Sequence, residues 1–445
     1  MRAEGAIMPE SLFKREANSA SAVNDSALTE CRDQVIASLT RYTEHGPTTG
    51  TTCYVWPSSE CPVGCGHCNY AAPMSLNRLS RYSVARDPAP VLKLMNGMGL
   101  WKAVLSGGGE PMVEPEFCER FVHEVDSPGL EEIELITSAH FAADEDETGR
   151  RVRSLVDAWR TRPAHLARAN FTIRISLDWF HAQRIGVEPA ARVIRLLGED
   201  GLRDVGCYVR SVLLDGDSTT EKLAAALGGE LTEMDDYQRR IHLPDGRTVL
   251  VYFKNLIVEG RMNQRKLSRL PVSLPEQSLA EVFGRRFETE QGKSVPARTY
   301  NGPQVRHLEG LACLIEDDGR VRILEGNDPH RCPNVRQTDD WEQAIEYLYA
   351  DPLTVYLVDN GPQDLARLLA DEFPDSLRMA ADTNQLYHLT ELLLAEPDRR
   401  LYATLRALEI HLAEGRVTAD RETVERAWAL FSARSEQRPP GTGRD

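Results

Sequence analysis

Short apolar runs alternate with amphipathic stretches along the first 260 or so residues. Six runs read as strands: 51–56 (TTCYVW), 101–106 (WKAVLS), 132–137 (EIELIT), 171–178 (FTIRISLD), 205–214 (VGCYVRSVLL) and 248–258 (TVLVYFKNLIV). Segments such as PEFCERFVHEV and GRRVRSLVDAWRTR lie between them and space their apolar residues as a helix does. Strands separated by helical stretches imply βαβ units and parallel pairing. The fold class expected is therefore α/β, a partial (β/α)6 barrel of the TIM type. In such barrels functional groups gather at the C-terminal ends of the strands. The segment IHLPDGRTVLVYF reads as a hairpin turned at Asp245-Gly246 and feeding the sixth strand.

The pattern divides the chain into four parts. Residues 1–50 are polar with some helical spacing and read as an N-terminal helical extension. Residues 51–262 carry the barrel. Residues 263–345 read as a small α+β cap around a second hairpin, LACLIEDDGRVRILE, turned at Asp318-Gly319. Residues 346–445 form a helical C-terminal region, with its helical spacing beginning near Trp341 and ending before the polar tail SEQRPPGTGRD.

Composition narrows the partners. Of 445 residues 41% are hydrophobic and 27% charged, a globular balance, and the net charge is −16. Such an acidic chain is a poor match for a nucleic-acid backbone or an anionic membrane surface. No apolar run is long enough to span a bilayer, and the N-terminus lacks the apolar core of a secretory signal. A cytoplasmic location is expected, where the nine cysteines stay reduced.

Three of those cysteines fall within eight residues, in Cys61-Pro-Val-Gly-Cys65-Gly-His67-Cys68, directly after the first strand. A tight cluster in an intracellular chain reads as a metal site. Three thiolates at these spacings can hold three irons of a cubane and leave a fourth open to another ligand. A structural zinc wants four closed ligands, for which His67 is the nearest fourth. The second strand then runs into Gly107-Gly108-Gly109-Glu110-Pro111, a glycine-rich end that exposes backbone to a ligand beside a carboxylate acceptor.

This pair of motifs resembles the signature of the radical S-adenosylmethionine (SAM) superfamily. The resemblance implies that Cys61, Cys65 and Cys68 bind a [4Fe–4S] cluster whose open iron chelates SAM. Reductive cleavage of the sulfonium then yields a 5′-deoxyadenosyl radical that abstracts a substrate hydrogen. His67 holds the aromatic position before the third cysteine, and Gly108, Gly109 and Glu110 match the element that contacts the SAM amino group. Ser138 and Ser176, at the third and fourth strand ends, resemble SAM ribose or carboxylate contacts, and Arg210 is a partner for the carboxylate. Asp178 and His181 are candidates for acid–base work on the substrate. The run IVEG near residue 258 resembles an adenine-side strand end.

The hairpin and the following NDPHRCPNV are similar to the SPASM or twitch domain of that superfamily, in which cysteines hold auxiliary Fe–S clusters. Here only Cys313 and Cys332 remain, and Leu324 and Glu325 stand where a cysteine is often found. A degenerate, cluster-free cap is expected, with an auxiliary cluster as the alternative. The resemblance implies an oxidoreductase or isomerase acting on a natural-product precursor, a peptide or a small molecule, with a flavodoxin- or ferredoxin-type electron donor. The competing expectation is a non-catalytic zinc-binding interaction protein.

Overall fold

All six strand-forming runs are strands in the computed structural model, which describes residues 24–437 apart from 41, 69–82, 236, 255, 257–267, 274–309, 325 and 383–385. They are β1 (Gly50–Val55), β2 (Lys102–Leu105), β3 (Glu132–Thr137), β4 (Asn170–Ser176), β5 (Gly206–Val212) and β8 (Thr248–Lys254). They pair in parallel and in chain order. Sequential parallel pairing is the order of a TIM-type barrel, here an open (β/α)6 portion of one. The connections carry α1 (Asp25–Ala37) before β1 and α2 (Ala89–Gly97), α3 (Pro115–Glu124) and α4 (Glu145–Arg160) between the next strands. Helices α5 (Trp179–Ile185) and α6 (Glu188–Leu196) follow β4, and α7 (Thr219–Ala226) follows β5.

The sheet continues beyond the six strands at both edges. A hairpin of an acidic strand, β6 (Glu230–Asp235), and an arginine-bearing one, β7 (Gln238–His242), adds antiparallel to β8, whose own turn from β7 is made at Gly246 with φ +83°. At the other edge β9 (Leu311–Ile315) pairs parallel to β1, and β10 (Val321–Ile323) returns antiparallel through Gly319. The hairpin expected within the 263–345 cap thus belongs to the same ten-stranded sheet. Within that interval, 263–267, 274–309 and 325 lie outside the described residues.

Side chains on a strand alternate between two faces, and these strands use the alternation fully. Phe171, Ile173 and Ile175 of β4 and Val249, Val251 and Phe253 of β8 enter the main core under the helices. The opposite face carries Arg174, Ser176, Tyr252 and Lys254. There Tyr208 donates to Glu134, and Lys102 Nζ stands 3.1 Å from Glu132 and 3.2 Å from Glu134. Burial alone would raise the Glu134 pKa, but Arg174 and Lys102 hold it below the usual carboxylate range.

Helices α8 (Trp341–Tyr349), α9 (Pro352–Asn360), α10 (Pro362–Leu369), α11 (Asp375–Asp382), α12 (Leu386–Leu393), α13 (Pro397–Ala413) and α14 (Arg421–Glu436) follow β10. Helix α1 packs against α13 and α14, so the N-terminal helix joins the C-terminal ones. Its Arg32 is buried, with Nη1 2.6 Å from Asp328, Nη2 2.5 Å from Asp351 and Nε donating to Thr404 at 2.8 Å. Among the described residues no helix is long and apolar enough to cross a membrane.

Candidate active site

The cysteine loop leaves β1 at Val55 and is pinned to the end of β2. Gly109 N–H donates to the Ser58 carbonyl at 3.1 Å, and Glu110 N–H donates to the Glu60 carbonyl at 2.7 Å. This approach requires glycine: a Cβ on Gly109 would lie 2.1 Å from the Glu60 oxygen, and one on Gly107 would lie 2.0 Å from the Gly109 oxygen. Gly108 has more room, with the Trp56 ring 3.0 Å from an added Cβ. Gly64 turns the loop at φ +59°, and Cys68 N–H closes a turn onto the Cys65 carbonyl at 3.1 Å. Helix α5 grips the loop from outside, Arg184 Nε donating to the Val63 carbonyl at 3.0 Å.

Cys61, Cys65 and Cys68 line one cavity of about 180 Å³ together with Gly107, Gly108, Gly109, Glu110, Ser138 and Ser176. His67 and His181 line it as well. Backbone N–H groups of Val63 and Gly64 face the Cys61 sulfur; burial outweighs them and pushes the free thiol pKa up. The three cysteine sulfurs do not all fall within 4.8 Å of one another; among the described residues only His67, Asp178 and His181 bring three such ligand atoms that close.

Glu110 is a buried acceptor whose valences are used within the chain. Its Oε1 accepts from Thr137 Oγ1 at 2.7 Å and Met112 N–H at 3.2 Å. Its Oε2 accepts from Ser138 N–H at 2.8 Å and Ser138 Oγ at 2.6 Å. Burial opposes its charge, but His140 beside it and the Ser138 bonds prevail and hold its pKa below the usual range. The clasp is shaped by Ala139, whose φ of +60° is left-handed in a non-glycine residue. The strand end expected to meet SAM through Ser138 therefore also holds Glu110.

Asp178 is the N-cap of α5 and accepts from Phe180 N–H at 2.9 Å and His181 N–H at 3.1 Å. It is buried behind His181 and is not a lining residue of the cavity. Arg210 likewise is not among the lining residues; its carbonyl accepts from Leu177 N–H. His67 stacks on Phe180 with ring centroids 4.4 Å apart, and burial lowers its pKa to about 4. Burial would lower His181 too, but Asp178 raises it well above the ordinary value. The IVEG run falls outside the described residues from position 257 onward.

Sequence reasoning missed Lys254 and Ser106, both of which line the cavity. Lys254 had a signal: it ends the Leu250–Tyr252–Lys254 alternation of β8 just as Ser176 ends the Thr172–Arg174–Ser176 alternation of β4.

No protein-family profile and no curated protein matches the chain. Among solved structures it is similar to native anSMEcpe with bound AdoMet, at 15% identity and a TM-score of 0.42 over 81% of this chain and 99% of that one. It is also similar to Streptococcus suis SuiB bound to S-adenosylmethionine, at 14% identity and a TM-score of 0.36 over 70% of this chain and 68% of that one. Neither likeness, at such identities and scores, assigns the chain a substrate.

Proposed function

We propose that this chain is a radical SAM enzyme. The observation that carries the reading is one cavity at the strands' C-terminal ends, where Cys61, Cys65 and Cys68 meet Gly107, Gly108, Gly109 and Glu110. The donor set fits a [4Fe–4S] cluster. Sulfurs on one tetrahedral zinc would sit about 3.8 Å apart, given bonds near 2.3 Å. The wider spacing here suits thiolates on separate irons. Backbone N–H groups facing Cys61 suit a ligating thiolate, since hydrogen bonds to sulfur stabilise its charge. Cys61, Cys65 and Cys68 would hold the cluster, which when bound supplies the electron that cleaves the SAM sulfonium.

The residues of the chain set the frame for that chemistry. Gly107, Gly108 and Gly109 bring backbone close to the cysteine loop, and no side chain stands between them and the cavity. Glu110, ionised and held by Thr137 and Ser138, places a fixed negative charge in the wall that favours a cationic ligand. Ser176 and Ser138 offer hydroxyls to the polar groups of that ligand. Arg210, expected to meet the SAM carboxylate, stands outside the cavity and takes no part in this reading, while His181, which lines it, is available for proton handling. The substrate is a peptide or small biosynthetic intermediate, the outcome an oxidation or isomerisation, and the electron donor a flavodoxin or ferredoxin.

Anaerobic reconstitution tests the reading. A brown protein with about four irons per chain that forms 5′-deoxyadenosine from SAM under dithionite is expected, and alanine at all three cysteines should remove both. Colourless, zinc-loaded protein would overturn it. That outcome would favour a zinc-binding interaction protein, with the ion at His67, Asp178 and His181, whose ligand atoms already converge within 4.8 Å.

A further inference from the structure

The inner face of the open barrel is built unlike the face beneath the helices. On β4 and β8 every position turned to the helices is buried, while Thr172, Arg174, Ser176, Leu250, Tyr252 and Lys254 on the other side stay partly exposed. A closed TIM barrel fills that side with layers of bulky apolar side chains. Here it carries charge. By register and alternation the six parallel strands place Lys102, Arg174, Arg210 and Lys254 on it against Glu132 and Glu134. Cations therefore outnumber carboxylates on this face of a chain whose net charge is −16.

The two carboxylates leave Arg174 largely unused. Glu134 is 2% exposed and already held, with Tyr208 donating to Oε1 and Lys102 Nζ 3.2 Å from Oε2. Arg174 Nη1 stops 3.9 Å from that same Oε2, beyond hydrogen-bond length. Its Nε is enclosed without a partner. Tyr208, its register neighbour on β5, has one oxygen to offer, whereas a guanidinium has five N–H donors. The Arg174 side chain is nonetheless 24% exposed, so the fork is reachable from the barrel interior.

Arg174 also stands one layer beneath the cavity. Ile136, its register partner, and Ser176, two residues further along β4, both line that cavity. Two residues of strand rise by about 6.5 Å. The rings of Tyr208 and Tyr252, edge to face with centroids 5.5 Å apart, wall the same step on β5 and β8.

We infer that Arg174 is a specificity-determining residue that receives a carboxylate of the substrate, one layer below the cavity. Nε and Nη2 share one edge of the fork, and a planar carboxylate matches that edge with two parallel hydrogen bonds. The acid that fits carries its carboxylate several bonds from the group that enters the cavity. That this acid is the substrate rests on the proposed function; that the inner face binds it does not.

The test uses the full-length protein as purified and two probes, glutarate and N-acetyl-glutamate amide, each with its neutral amide counterpart as control. Binding is titrated by ligand-observed NMR. At least one acid should bind the wild type about tenfold more tightly than its amide, the difference that charge-assisted bonds supply. Arg174→Gln should erase that preference, and Arg174→Lys, which keeps a cation beside Glu134 but loses the fork, should weaken it severalfold. Binding of the capped glutamate assigns the carboxylate to a peptide, and binding of glutarate alone assigns it to a small acid. No preference in the wild type, or a preference unchanged in both variants, would overturn the inference. If Arg174→Gln does not fold, Arg174→Lys decides alone, an unchanged preference again overturning it.

Reconstituted protein separates this site from that of SAM. Saturating SAM should leave the acid bound; its displacement would give Arg174 to the SAM carboxylate and overturn the inference. A wild-type chain that takes up no iron would be a failure of the proposed function, while the acid titration, which needs no iron, is read on its own.

Discussion

Gly109→Ala should cost the protein its iron while leaving it folded. The added Cβ would lie 2.1 Å from the Glu60 oxygen, 2.6 Å from its nitrogen and 2.7 Å from its carbonyl carbon. These are backbone atoms of the residue before Cys61, so no side-chain rotation relieves the clash. Ordinary contact begins at 3.4 Å, so the loop has to retreat by roughly 1.3 Å. That movement breaks the two bonds joining loop to strand end, Gly109 N–H to Ser58 and Glu110 N–H to Glu60. Each net bond is worth about 0.5–1.5 kcal/mol, and more where the group is left buried and unpaired, so the loss is about 2–4 kcal/mol. A folded domain is stable by about 5–15 kcal/mol, so the variant should still purify as folded protein. Cys61 moves with Glu60, and three thiolates that no longer face one cavity cannot share one cubane.

The assay is iron per chain after anaerobic reconstitution, read beside the thermal midpoint. Two other glycines calibrate it. Gly108→Ala meets first the Trp56 ring, at 3.0 Å, a side chain rather than the loop's backbone, and should keep most of its iron. Gly149→Ala, inside α4 with nothing within 4 Å of the new methyl, should gain up to about 1 kcal/mol and keep all of it. If Gly109→Ala loads as much iron as Gly108→Ala and melts with it, the close approach of loop and strand end is not what holds the cysteines.

Ala139→Gly should raise the thermal midpoint by removing a left-handed alanine, a gain of about 1 kcal/mol. Ala139→Val, measured in the same way, should lower it and loosen the Thr137 and Ser138 grip on Glu110. Arg32→Met should cost about 3–5 kcal/mol in urea unfolding, because Asp328 and Asp351 are left buried without their cation. A loss under 1 kcal/mol would mean that the two carboxylates find other partners.

Much of the barrel was legible because each of its strands is a short apolar run, and β2, β3 and β4 run out into serine or threonine. The motif residues were legible for a different reason: cysteines three and two residues apart, and three glycines in succession, are rare without a backbone or metal that demands them. The hairpin of β6 was not legible. Its sequence Glu230–Asp235 is acidic and mostly exposed, and only pairing with β7 makes it a strand. The partner of β9 was not legible either, because β1 lies some 260 positions away in the chain and nothing local in Leu311–Ile315 names it. Glu110 shows a subtler limit. Its place in the motif suggests an open acceptor, but the next strand end, one unit of chain away, supplies Thr137 and Ser138 to fill it.

The cysteines sort by whether they are buried under the sheet or line the cavity at its strand ends, and the sorting bears on the alternative of an auxiliary cluster. Cys53 and Cys313 are register partners on β1 and β9, both fully buried in the main core beneath the helices. Burial pushes both thiols far toward the protonated form. Cys332 lies outside that core, its sulfur donating to the Asp328 and Pro329 carbonyls at 3.5 Å, with its pKa raised to about 12 by burial. None of the three lines the cavity that holds Cys61, Cys65 and Cys68. Iron would reach Cys313 only by displacing close-packed side chains such as Val55 and Ile315. Burial in the core beneath the sheet, rather than the number of cysteines, separates Cys53 and Cys313 from the three thiols that line the cavity.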